Sequence, residues 1–197
     1  NHSLATYDGF LLGLEIFKHQ GRLPRGLGDN LLFKIPVIKK IASEIGLVPA
    51  SKMNAIKLLN EGEILAVAPG GMREALRPST EIYKLKWSKR KGFIRLAIQE
   101  QVPIVLAACP QADKIFNVYQ NFITALIYKK FKFPFPFFKG IAFSFFPHPV
   151  KLTHFLTDPI YPPKVTIKSK VNDKMVDEFH SQIIKKMEDL MKTGSVT

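Results

Sequence analysis

The chain has 197 residues, 46% of them hydrophobic and 23% charged, with 29 Lys and Arg against 16 Asp and Glu for a formal charge of +13. That length serves one core, and the balance of apolar and charged residues excludes a disordered chain apart from the tail Thr193 to Thr197. The charge calls for a partner bearing phosphates and leaves nucleic acid, an anionic membrane and a phosphorylated cofactor open.

Cys109 is the single cysteine, which excludes an internal disulfide and a cysteine metal cluster. In the apolar run VPIVLAAC it reads as a buried, inert thiol. The chain begins at Asn1 rather than Met, with no n-region or h-region of a signal peptide, so a segment upstream is expected. No run of about 18 uninterrupted apolar residues forms a spanning helix.

The spacing of Phe10, Leu11, Leu14 and Phe17 predicts a helix from Tyr7 to Lys18, with Asp8 in its first turn and Gly21 as its stop. A second helix is expected from about Asn30 to Ile45, kinked near Pro36, then a short strand at GLVP. Ser51 suits the cap of a helix from Lys52 to Asn60. EILAVAPGG reads as a buried strand running into a glycine pair, and VPIVLAAC as a second buried strand beyond a helix from about Lys89 to Gln101. A further helix is expected from Asp113 to Tyr128, strands at Ile141 to Phe146 and Val150 to Leu156, and a last long helix from the stripe Val171, Met175, Phe179, Ile183, Met187 and Leu190. Apolar strands separated by helices predict an α/β fold with a central, mostly parallel sheet.

Four blocks stand in order: NHSLATYD; GDNLLFKIP; APGGMREAL with KRKGFIRLAI; and VPIVLAA. Together they make the chain resemble the glycerolipid acyltransferase family, in its transmembrane branch close to the type-2 diacylglycerol acyltransferases. HPVKLTHFLTDPI is similar to that family's late strand and turn, so the resemblance covers nearly the whole chain. It implies a single acyltransferase domain over residues 1–197, lacking an upstream membrane-associated segment. It also implies acyl-CoA as co-substrate with no further cofactor, membrane lipid as partner and no nucleic acid. The expected location is a membrane, with the active site facing the cytoplasm: the endoplasmic reticulum in a eukaryote, the inner membrane in a bacterium. Most of the family places four residues between the first-block His and Asp, whereas five separate His2 from Asp8 here, as in the transmembrane branch. Where phosphate-acceptor members read Pro-Glu-Gly, this chain reads Pro69, Gly70, Gly71, which resembles the neutral-lipid branch. A mono- or diacylglycerol acceptor is therefore expected ahead of a lysophospholipid.

Acyl transfer from a thioester to a hydroxyl needs a base for the proton and donors for the developing oxyanion. His2 supplies the base, and Asp8 fixes its tautomer and stabilises the imidazolium. Taken alone, a His and Asp at this spacing also fit a structural histidine at a helix start. No nucleophile elbow is present, so direct attack by the acceptor is expected rather than an acyl-enzyme on Ser3 or Cys109. The resemblance assigns the acceptor side to Gly70, Gly71, Arg73 and Glu74; without it, a Gly-Gly turn is punctuation. Lys89, Arg90 and Lys91 precede a helix, where they suit the phosphates of coenzyme A or a solvated basic loop. Phe137, Phe138 and Lys139 lie in a Phe- and Lys-rich stretch broken by Pro134, Pro136 and Pro147, which suits a lip dipping into the headgroup layer or, in part, core strands. His19, His148, His154 and His180 lack a metal-ligand spacing. The reading from another class is a non-catalytic membrane-binding module of the same fold, against which stands the retention of both His2 and Asp8.

Overall fold

The computed structural model describes residues 7–30, 32–75, 77–81, 83–87, 89–119, 137–141, 144 and 146–195. Helix α1 spans Tyr7–Gln20 and stops at Gly21, whose φ of +67° is open to glycine at no steric cost. Pro36 does not kink a longer helix. It begins helix α2, Pro36–Glu44, after a single 3₁₀ turn at Leu32–Lys34, because a proline ring pre-sets the first helical φ and its missing N–H has no partner to lose there. Helix α3 runs Lys52–Asn60 as expected, with Ser51 Oγ accepting from the Asn54 N–H at 3.0 Å.

Strands β1 (Arg25–Gly28), β2 (Leu47–Pro49) and β3 (Leu65–Ala66) form a parallel sheet in the order β2-β1-β3. Each crossover between them carries a helix, α2 or α3, so the α/β class read from the sequence is the observed one. The short helix α4 (Gly71–Ala75) follows the β3 end, and α5 (Gly92–Glu100) leads to β4 (Ala107–Ala108). The later strands pair antiparallel: β4 with β7 (Phe155–Leu156), and β5 (Asn117–Tyr119) with β6 (Phe137–Lys139). The long helix α6, Asp173–Ser195, closes the chain, with Asn172 Oδ1 accepting from the Met175 N–H at 2.8 Å.

Three further expectations change. The helix from Asp113 to Tyr128 is absent over its described part: Pro110–Lys114 is a 3₁₀ turn and Asn117–Tyr119 a strand, and the remainder lies outside the described residues. Val118 and Tyr119 favour a pleated surface, and they find partners in Phe138 and Phe137. Of the strand placed at Ile141 to Phe146, Ala142, Phe143 and Phe145 lie outside the described residues; the described strand is upstream at Phe137–Lys139, and the Ser144 N–H bonds the Ile141 carbonyl and the Gly140 N–H the Ser144 carbonyl. Of Val150 to Leu156, only Phe155–Leu156 is paired.

The main core lies between α5, α6 and the β4-β7 pair. Ile94 and Ile98 of α5 meet Phe179, Ile183 and Met187 of α6, with Trp87, Leu106 and Ile160 around them. A smaller cluster holds Cys109, Ala112, Ile115, Phe116 and Val118. The α1 stripe of Phe10, Leu11, Leu14 and Phe17 is in neither. With Tyr7 it stands between 41% and 52% exposed, while Leu12, Gly13 and Ile16 on the other side are half-buried.

Candidate active site

His2 lies outside the described residues, and its partner Asp8 is 2% exposed in the first turn of α1. A carboxylate there meets the positive end of the helix. Two side chains from distant segments feel its charge. The His154 ring hydrogen-bonds to the Asp8 backbone; burial holds the imidazole below its ordinary range, and the Asp8 charge opposes that shift. Burial, aided by the same negative charge, pushes the Cys109 thiol up to about 11. The expectation of an inert cysteine is met, because a thiol this basic holds almost no thiolate at neutral pH. Tyr7 packs beside Phe116, ring centroids 6.1 Å apart.

The glycine turn follows the carboxyl end of β3, where parallel sheets present ligand sites. Two groups clamp it. From one side, Arg90 Nη1 donates to the carbonyls of Pro69 at 3.0 Å and Gly70 at 2.8 Å. From the other, the Glu74 carboxylate sits so close beneath Gly70 that a Cβ there would overlap it. Gly71, at φ +52°, would place a Cβ 2.6 Å from Arg90 Nη1. Gly70 is therefore held to glycine by Glu74, and Gly71 by its left-handed φ.

Glu74 is 1% exposed, so it works on the turn from beneath rather than on an open acceptor surface. Its Oε2 accepts from Trp87 Nε1 at 3.1 Å, and its Oε1 lies 3.7 Å from Arg77. Arg77 pairs in turn with Asp113, whose other oxygen accepts from the Tyr83 N–H at 2.8 Å. Arg77 also donates to the Lys84 carbonyl. Sequence reasoning missed Arg77, Trp87 and Asp113 altogether. The one signal it offered was Arg77 three residues after Glu74, a helical pair.

The basic stretch separates by residue. Lys89 is exposed, Arg90 holds the glycine turn, and Lys91 caps α5 with its ammonium 2.6 Å from Asp177 of α6. Of the acceptor-side set, the Arg73 side chain is outside the described atoms. Of the lip, Phe137 and Phe138 form β6 and their side chains are likewise outside; the Lys139 ammonium stands 5.3 Å from the ring centre of Tyr119 on β5.

The short segment Cys109 to Phe116 joins the two halves of the site. Its Phe116 packs beside Tyr7, while its Asp113 reaches Arg77 under the glycine turn. A cleft of about 380 Å³ lined by Arg22, Arg25, Glu44 and Glu63 lies elsewhere, at the amino end of β1. Its walls carry both signs of charge.

A family model described as diacylglycerol acyltransferase matches residues 27–194. The chain belongs to the diacylglycerol acyltransferase family. Within that family it is 34% identical over 174 residues to a Bos taurus protein named "DGAT1/2-independent enzyme synthesizing storage lipids", covering 84% of this chain and 48% of the relative. The Homo sapiens protein of the same name is 33% identical over 84% of this chain and 49% of its own length. "Diacylglycerol O-acyltransferase 1" of Saccharomyces cerevisiae is 39% identical over 67 residues, 34% of this chain and 16% of that protein. The chain thus spans about half the length of the first two. No solved structure matches. The part shared with the family model holds the glycine turn, its buried network and α6, whereas α1 with Asp8 precedes it.

Proposed function

We propose that this chain transfers a fatty acyl group from acyl-CoA to the hydroxyl of a neutral glycerolipid, mono- or diacylglycerol, at the cytoplasmic face of a membrane. The observation that carries the reading is the family match over 27–194, which spans the glycine turn and the network that holds it. In this reading His2 takes the hydroxyl proton as the oxygen attacks the thioester carbonyl, and coenzyme A leaves as the thiol. Asp8, fixed by burial, orients the imidazole and stabilises its charged form. The turn at Gly70 and Gly71 supports the acceptor side. Lys89 is the exposed cation left for a coenzyme A phosphate, since Arg90 and Lys91 hold protein groups.

Reconstituted protein with radiolabelled acyl-CoA and a panel of acceptors tests this directly. Label should enter di- or triacylglycerol, and His2→Ala should lower turnover by at least about 10²-fold while folding is kept. Transfer to lysophosphatidate alone would overturn the acceptor, and a fully active His2→Ala would overturn the base.

A further inference from the structure

The apolar stripe of α1 faces away from the core, and the same holds for α2, where Val37 is 70% and Ile41 54% exposed. Around α2, Lys34, Lys39 and Lys40 are exposed and none is in an ion pair among the described residues; Glu44 is the one acid in the helix. The two helices share a neighbour in Leu23. A Cβ on Gly13 of α1 would lie 3.9 Å from Leu23 Cδ1, and one on Gly46, just past α2, 3.6 Å from Leu23 Cδ2. Leu23, itself 38% exposed, therefore stands between them.

We propose that the outer faces of α1 and α2 lie together on an anionic lipid bilayer. The occupant follows from chemistry: half-exposed Phe and Leu side chains beside unpaired lysines match the acyl boundary and the charged headgroups of one surface. At about 1.5 Å per residue α1 is about 20 Å long, short of the ~30 Å hydrocarbon core, so it lies in the interface plane. The inner side of that helix carries buried Asp8, which docking brings within about one helix diameter, ~10 Å, of the lipid. An acceptor lipid then meets the site without leaving the membrane. This rests on the membrane-surface part of the proposed function and gives it a face, one distinct from the Phe137, Phe138 and Lys139 lip.

The test uses the full chain and phosphatidylcholine vesicles with and without phosphatidylserine. Leu11→Ser with Leu14→Ser should weaken binding to both by at least about tenfold. Lys34→Gln, Lys39→Gln and Lys40→Gln together should weaken it by about a hundredfold only where phosphatidylserine is present. Should the serine variant fail to fold, a second reading stands: Leu14→Cys takes an environment-sensitive dye, because the native Cys109 is 1% exposed and its thiol basic. The dye should shift to the blue on vesicles. A bound protein whose dye does not shift overturns the proposal, as does a dye already blue without vesicles, which would mean that another part of the chain covers the face. A dimer that the serine variant dissolves, with vesicle binding unchanged, would assign the face to a second copy and overturn it too. Acyl transfer measured alongside separates the two readings. Transfer by the wild type with α1-independent binding removes this surface and leaves the enzyme reading; α1-dependent binding without transfer does the reverse.

Discussion

Arg77 is an internal counter-ion: its side chain is 3% exposed and it faces Glu74 at 1% and Asp113 at 4%. Removing one member of such a set leaves charges buried without compensation, so Arg77→Met should destabilise the fold by roughly 3–5 kcal/mol in urea unfolding. A loss within the range of an ordinary surface change would mean that water reaches the network. Arg90 acts on the glycine turn. By holding two carbonyls it shapes the glycine turn, and Arg90→Met should reduce kcat about tenfold with a smaller effect on the acyl-CoA KM than Lys89→Gln has. A rise in acyl-CoA KM alone would return Arg90 to phosphate binding.

At the scale of elements, the most costly packing runs along α6. Val176, Phe179, Ile183, Met187 and Met191 turn one face to α5 and the β4-β7 pair, and Ile183 has no exposed surface. Ile183→Ala should cost about 2–5 kcal/mol, against about 1 kcal/mol for Ser51→Ala, which removes one cap from α3. Equal costs in thermal unfolding would mean that the core is not organised around α6. Helix α1 obeys another rule. Its Phe10, Leu11, Leu14 and Phe17 point away from the core, while Asp8 is buried and Leu12, Gly13 and Ile16 are half-buried, with Gly13 set near Leu23.

The whole molecule responds to acid through two histidines. Burial lowers His154, and burial followed by the Lys91 charge lowers His180, against an opposing pull from Asp177. Each binds its proton more weakly folded than unfolded. Their contribution is fully present above the ordinary histidine value of about 6.5 and is lost as pH falls from there through the folded-state values, with a slope of at most about 1.4 kcal/mol per pH unit for each. Melting temperatures should fall between about pH 7 and about pH 5. His180→Phe, which removes a buried ring nitrogen with no hydrogen-bond partner from beside Phe93, should make that fall shallower. An unchanged slope would place the acid response elsewhere.

Local chemistry carried most of the elements. Ser51 before LysMetAsn and Gly21 at a helix end act through their own hydrogen bonds and dihedrals, so α3, β2 and the bounds of α1 were legible in the chain itself, whereas Pro36, expected to kink a helix, starts one instead. The ordered blocks likewise announced the family. What the chain could not announce is which distant segments meet. Arg77 and Asp113 are 36 residues apart, and Glu74 lies under Gly70 only because α4 turns back on β3. His154 lacks a metal-ligand spacing, and only the fold brings its ring to the Asp8 backbone. Tertiary structure also decided the fate of the α1 stripe, because a period of about 3.6 residues states that a helix has an apolar face, not what covers it. The core is filled from α5 and α6, and the larger part of the α1 stripe stays outside it.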